Sequence, residues 1–114
     1  MEDCIFCKII KGEIPSTKVY EDDNVLAFKD INPQAPIHII VIPKTHIESA
    51  NMINEDNVKE VSHVFLAINK IVKELGIDES GYRIINNCGR DGGQTVPHLH
   101  FHIIGKKNLG ENLV

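Results

Sequence analysis

Between Asn54 and Leu75, apolar residues recur at intervals of three and four, at Val58, Val61, Phe65, Ile68, Val72 and Leu75. That spacing gathers them on one face of an amphipathic helix. Asn54 is the expected N-cap, Glu55 and Asp56 complement the positive end of the helix dipole, and Gly76 suits the position just past the C-terminus. Val64, Leu66 and Ile71 widen the apolar face beyond what one sheet requires, which points to a second packing partner or a dimer surface. His63, on the same helix, reads as a surface or interface residue.

Upstream, from Val19 to Pro43, the chain reads as a strand pair. Val25 to Phe28 and Ile37 to Ile42 flank the turn-rich Asp30-Ile31-Asn32-Pro33-Gln34-Ala35-Pro36. The second run is β-branched and almost unbroken, as in a central strand covered on both faces, and His38 is its polar exception. After the helix, Tyr82 to Asn87 reads as a strand, then a glycine-rich loop from Gly89 to Gly93, then a final strand from His98 to Ile104. Short strands around one long helix, with connections too short for repeated crossovers, predict an α+β domain with a mainly antiparallel sheet.

Composition narrows the classes. The 114 residues suit one compact domain, 1–114, and with 5% aromatics and no tryptophan an aliphatic core is expected. The acidic start Met1-Glu2-Asp3 is unlike a secretory signal, and no apolar run approaches the roughly 18 residues of a membrane span. The expectation is a cytoplasmic protein without a membrane partner. A net charge of −4 disfavours broad attraction to nucleic acid, so phosphate chemistry must rely on local groups.

The informative segment is Pro97-His98-Leu99-His100-Phe101-His102-Ile103-Ile104. Strand side chains alternate faces, so His98, His100 and His102 are expected on one face and Leu99, Phe101 and Ile103 on the other. A single histidine there would be an ordinary polar position; three in strict alternation point to function. One option is a metal site, which would need a further histidine or carboxylate ligand, and no acidic residue follows until Glu111. The other is nucleophilic attack on phosphorus by a neutral imidazole, with flanking imidazoles offsetting charge on the phosphoryl oxygens. The Gly89 to Thr95 segment could bring backbone N–H groups close to an anion, although it is not a Walker A loop and equally suits a hairpin.

Cys4-Ile5-Phe6-Cys7 has the spacing of two thiolates on one ion and also that of a thioredoxin-like redox motif. No strand precedes it, unlike the redox motif in a βαβ unit, which favours metal. Three cysteines in a reducing compartment argue against a disulfide framework.

These residues carry a resemblance. His98-Leu99-His100-Phe101-His102-Ile103-Ile104 is similar to the signature of the histidine-triad (HIT) family, and the likeness extends to Asp30 through His38, Ile42 through His46 and Asp91 through Thr95. It points to the Hint-like branch, the purine nucleoside phosphoramidases. The resemblance implies a HIT-like fold of about five mainly antiparallel strands, one long helix and a short N-terminal helix, and a homodimer formed through the long helix and an adjacent strand. It implies that His100 is the nucleophile that becomes nucleotidylated, with His38 and His102 beside the α-phosphate. Asn87, Gly93, Gln94 and Thr95 would contact phosphate or leaving group, Thr95 helping to relay a proton. Asp30 would accept the ribose hydroxyls, and Ile5, Phe6, Ile9, Phe28 and Ile31 would form the apolar cleft for a purine. Without the resemblance, Ile5, Ile9 and Phe28 are ordinary core residues and Asp30 a turn former. Microbial relatives further imply one structural zinc per chain on Cys4, Cys7, His46 and His98, with no metal needed for the chemical step. Pro97 and the tail from Lys106 to Val114 depart from the family pattern, where an aromatic residue often precedes the triad and some tails carry tryptophan.

The implied activity is cleavage of adenylated amines to AMP through a nucleotidyl-His100 intermediate. Its rivals are a noncatalytic purine nucleotide sensor, a metal-dependent hydrolase using the triad as ligands, and a dinucleoside polyphosphate hydrolase.

Overall fold

The computed structural model describes residues 3–114. The chain runs through helix α1 (Ile5–Ile10), strands β1 (Lys18–Glu21), β2 (Val25–Lys29) and β3 (Ile37–Pro43), and a single 3-10 turn (Ala50–Met52). Helix α2 (Val58–Glu74) and strands β4 (Tyr82–Ile85) and β5 (Phe101–Gly105) complete it. The five strands form one sheet in the order β1-β2-β3-β5-β4, antiparallel at every pairing. This is the expected α+β architecture, with β1 an additional short edge strand. No helix among the described residues is long and apolar enough to cross a membrane.

Alternation along the strands divides the interior in two. Val25, Ala27, Ile39, Val41, Phe101 and Ile103 face α2, where they meet Val64, Ala67, Ile68, Ile71 and Val72. Leu26, Phe28, Ile40 and Ile42 face the opposite way and pack with Cys4, Phe6 and Ile9 of the N-terminal segment. β3 is therefore buried on both faces, which is why its sequence is almost uninterrupted Ile and Val. Full burial of each such side chain contributes about 2 kcal/mol.

Three local expectations need correction. Helix α2 begins at Val58, not just after Asn54. The Asn54 side-chain oxygen instead accepts the N–H groups of Asp56 and Asn57, closing a turn that precedes the helix. The buried face of α2 is also rotated from the expected one: Val64 and Ile71 lie in the core, while Val58, Phe65 and Leu66 are 48%, 43% and 60% exposed. The apolar sector is too wide for one sheet, and the part that contains Ala67 is the one packed inward. Finally, the last strand pairs only from Phe101. Pro97 has no N–H to offer a ladder, and the Leu99 N–H is spent on the Ile47 carbonyl, 2.6 Å away, which pins residues 98–100 to the loop after β3.

Candidate active site and metal centre

On the sheet face away from α2, strand register sets functional side chains in rows. His38 pairs with Ile104, which pairs with Arg83. One row along, Phe28 pairs with Ile40, Ile40 with His102, and His102 with Ile85. His100 stands just before β5, buried, with its ring centroid 5.2 Å from that of His102. Phe6 of α1 packs edge-on against His100 at 5.1 Å and against Phe28 at 5.6 Å, so the N-terminal helix is a wall of the site.

Backbone partners determine which nitrogen of each ring carries a proton. His100 Nδ1 lies 2.7 Å from the His98 carbonyl, which can only accept, so Nδ1 is the donor and Nε2 keeps the lone pair. Burial lowers the His100 pKa, which favours the neutral ring. His38 is arranged the other way. Its Nδ1 accepts the Gln34 N–H at 3.0 Å, so its Nε2 carries the proton and offers it to His102 Nδ1 at 2.8 Å and to Asp30 Oδ2 at 3.3 Å. His102 then accepts at Nδ1 and carries its proton on Nε2. Asp30 also closes a turn through the Asn32 N–H, so its turn-forming and site-facing roles coexist.

Burial, followed by the neighbouring His100 and His38 rings, pushes the His102 pKa down to about 4, against a weaker upward pull from Asp30. An unfolded histidine titrates near 6.5. Between these values the unfolded chain binds the extra proton, so the stability His102 contributes is complete above about pH 6.5 and is lost as pH falls toward 4. In urea unfolding at pH 7 and pH 5, the wild type is expected to lose on the order of 1–2 kcal/mol more than His102→Asn. Equal losses would show that His102 does not titrate this way.

Cys4, Cys7, His46 and His98 form a second cluster, their ligand atoms all within 4.8 Å of one another. His98 Nε2 donates to the Pro43 carbonyl at 2.9 Å, leaving the Nδ1 lone pair facing Cys4 Sγ at 3.3 Å, Cys7 Sγ at 3.6 Å and His46 Nδ1 at 3.1 Å. Cys7 Sγ is 3.3 Å from His46 Nδ1. A tetrahedral ion with metal–nitrogen bonds of about 2.0 Å and metal–sulfur bonds of about 2.3 Å would separate its ligands by roughly 3.3–3.8 Å, close to these spacings. A ligating histidine normally donates its second ring N–H to a carbonyl, as His98 does to Pro43. Burial, then the neighbouring Cys4 sulfur, push the Cys7 thiol up to about 11, and a bound cation would reverse that direction. The residues thus fit a metal. Asp30, His38 and His102 also come within ligand distance of one another. There the outer nitrogen of His38 accepts an N–H instead of donating one, which suits a proton relay and not a cation.

The other expected site residues divide. Phe6, Ile9 and Phe28 share one buried cluster, whereas Ile5 and Ile31 are 45% and 92% exposed. Asn87 donates to the Gly92 carbonyl, and both ends of the Gln94 amide are engaged, accepting from the Gly89 N–H and donating to the Glu48 and Val96 carbonyls. The Gly93 N–H bonds to the Arg90 carbonyl, so the glycine loop is closed largely upon itself; Thr95 is exposed at its end. Gly92 is required there, because a Cβ would lie 2.4 Å from the Cys88 carbonyl oxygen.

Sequence reasoning missed the supports. Asn86 donates to the His100 carbonyl at 2.8 Å, and Gln34 and Pro43 fix ring tautomers through their backbones. Buried Glu60 accepts from the Thr45 hydroxyl at 2.6 Å and pairs with His63 at 3.0 Å, anchoring the turn that presents His46. Only Asn86 and Glu60 act through side chains that a pattern could have flagged, Glu60 as a carboxylate near the inward face of α2.

Comparison with known proteins identifies the family. Residues 11–109 match the HIT domain family. The match begins after Cys4 and Cys7, so their meeting with His46 and His98 is an observation of the structure itself. The chain is 46% identical over 112 residues to the purine nucleoside phosphoramidase of Escherichia coli K12, covering 98% of this chain and 94% of that protein. Among solved structures, a histidine triad protein from Clostridium difficile superposes with a TM-score of 0.95 at 59% identity, covering 98% of this chain and 97% of that one. A HIT family hydrolase from Clostridium thermocellum superposes with a TM-score of 0.97 at 51% identity, covering 100% and 99%. With the triad, the fold and near-full-length likeness in agreement, the chain belongs to the HIT family.

Proposed function

We propose that the protein hydrolyses purine nucleoside phosphoramidates, adenylated amines in particular, to AMP through a covalent nucleotidyl-His100 intermediate. The observation that carries this reading is the His100 Nδ1–H bond to the His98 carbonyl, which leaves Nε2 unprotonated on a ring that burial keeps neutral. Nε2 attacks the α-phosphorus and the P–N bond breaks. An amine leaves well only when it takes up a proton, which it draws from water through the Thr95 hydroxyl, while the His102 Nε2–H, aligned by His38 and Asp30, hydrogen-bonds a phosphoryl oxygen and keeps its proton. Water then attacks the same phosphorus, freeing His100 and AMP.

Asp30 holds the ribose hydroxyls, and Ile5, Phe6, Ile9, Phe28 and Ile31 border the purine. Asn87, Gly93 and Gln94 shape the phosphate side, Gln94 by holding the loop, since its amide is already engaged. Cys4, Cys7, His46 and His98 hold one structural zinc, which ties α1 to the triad and takes no part in the chemical step. Two copies pair through the exposed apolar residues Phe65 and Leu66 of α2 and the unpaired edge of β4, which supports a homodimer.

Intact-mass measurement of protein mixed with an adenosine phosphoramidate and quenched without acid tests the reaction. A gain of one adenylyl group that disappears with time is expected. Nucleotide binding with neither adduct nor turnover would make the protein a sensor, and loss of turnover on chelation with the fold intact would make it a metallohydrolase.

A further inference from the structure

The sheet face that carries His38 and His102 continues past them, toward β4 and the tail, into a cleft whose far wall the reaction above does not use. α1 covers the β2 and β3 side of this face, through Phe6 and Ile9. The β5 and β4 side holds two cavities of about 410 and 550 Å³ that share Arg83, Ile104, Lys107 and Leu109 as lining. His38 and His102 line the first of them, and Lys106 lines the second.

The lining of the cleft is cationic. On a chain of net charge −4, three cations line these cavities, and among the described residues no carboxylate does. Its wall is built by the tail. Lys106 takes a left-handed backbone, φ 60°, which turns the chain back after β5. Lys107 Nζ then reaches the Gln34 carbonyl at 3.2 Å, on the loop that orients His38, and Arg83 Nη2 donates to the Gly110 carbonyl at 3.1 Å. Arg83 has five N–H donors in all, so one such bond leaves most of the guanidinium edge for a ligand. By register Arg83 stands in the row of His38 and Ile104, two strands from His38.

We propose that this cleft is the subsite for the departing half of the substrate, and that Arg83 and Lys107 select leaving amines bearing an oxyanion, a carboxylate or a phosphoryl group. The inference rests on the phosphoramidase reading. With nucleoside on the α1 side and phosphorus at His100 and His102, the β4 side is where the leaving group extends. A guanidinium and an ammonium facing an oxyanion form charge-assisted hydrogen bonds that a neutral group cannot.

The test compares kcat/KM of the full-length protein for three adenosine 5′-phosphoramidates of equal linker length, ending in a hydroxyl, a carboxylate or a phosphonate. At least one anionic compound is expected to exceed the neutral one by about tenfold. Arg83→Gln and Lys107→Gln should each erase that advantage while leaving the neutral compound within about twofold. A preference for carboxylate or for phosphonate identifies the source of the oxyanion. Equal values for all three in the wild type, or equal losses for all three in both variants, overturn the subsite. Turnover of the neutral compound separately tests the reaction itself. Were none of the three cleaved, their equilibrium affinities would decide: tighter anionic binding in the wild type and not in the variants supports the subsite, and equal binding overturns it.

Discussion

His100→Ala is expected to reduce turnover of an adenosine phosphoramidate by roughly 10⁴-fold or more, abolish the adenylylated species, and leave AMP affinity within a few fold. Removing the nucleophile forces direct attack by water, and no neighbouring ring can take over. His102 presents a proton and not a lone pair at Nε2, because its Nδ1 accepts from His38. His38 Nε2 holds the proton it shares with His102 and Asp30. Since alanine also removes the ring against which Phe6 packs, His100→Asn is the companion variant. Its amide can still donate to the His98 carbonyl, but it has no nucleophilic nitrogen. Measurable adduct in either variant would move the nucleophile elsewhere. Turnover retained within tenfold would remove covalent catalysis from the account.

Stripping the zinc proposed for Cys4, Cys7, His46 and His98 is expected to lower thermal stability and nucleotide affinity together. A ligand held at a thousand times its dissociation constant stabilises by about 4 kcal/mol, which for a chain of this size is a fall of about 15 °C in Tm when it is lost. Cys4→Ser should reproduce the effect without chelator. The affinity change follows from position. Cys4 caps α1, its sulfur accepting the Cys7 N–H, and Phe6 lies between Cys4 and Cys7 with its ring against His100 and His98. Releasing the two sulfurs frees the helix whose Phe6 walls the side of the site proposed for the purine. Full affinity in a demonstrably metal-free sample would separate the two sites, and an unchanged Tm would leave the cluster as hydrogen-bonded thiols and imidazoles.

Much of the fold was legible because burial imposes short periods on the chain. The Ile37 to Ile42 run, broken only by His38, announced a strand covered on both faces, and it is buried on both. The three- and four-residue spacing located α2, yet misjudged its inward face, because Phe65 and Leu66 are as apolar as Val64 and Ile71 and only packing against the sheet separates them. The alternation in Leu99, Phe101 and Ile103 correctly assigned them to the core. It could not reveal that His98 and His100 precede the paired strand, since that depends on a hydrogen bond from Leu99 to Ile47, more than fifty residues earlier.

For the site, local sequence determined the chemistry available: three imidazoles in alternation, a Cys-X-X-Cys pair, and an aspartate and a histidine flanking a proline-rich turn. Residue type and spacing are properties of the chain itself, so these survive any arrangement of the rest. Tertiary structure decided what each group can do with its proton. His98, His100 and His38 are the same side chain, but one donates outward to the Pro43 carbonyl and turns its lone pair to two sulfurs. Another donates to a carbonyl and keeps its lone pair at the outer nitrogen, and the third accepts a backbone N–H and offers its own proton to the next ring. Those roles follow from which backbone group stands at each ring edge. Folding alone brings residues as far apart as Pro43 and His98 into that contact, and the pattern along the chain does not record it.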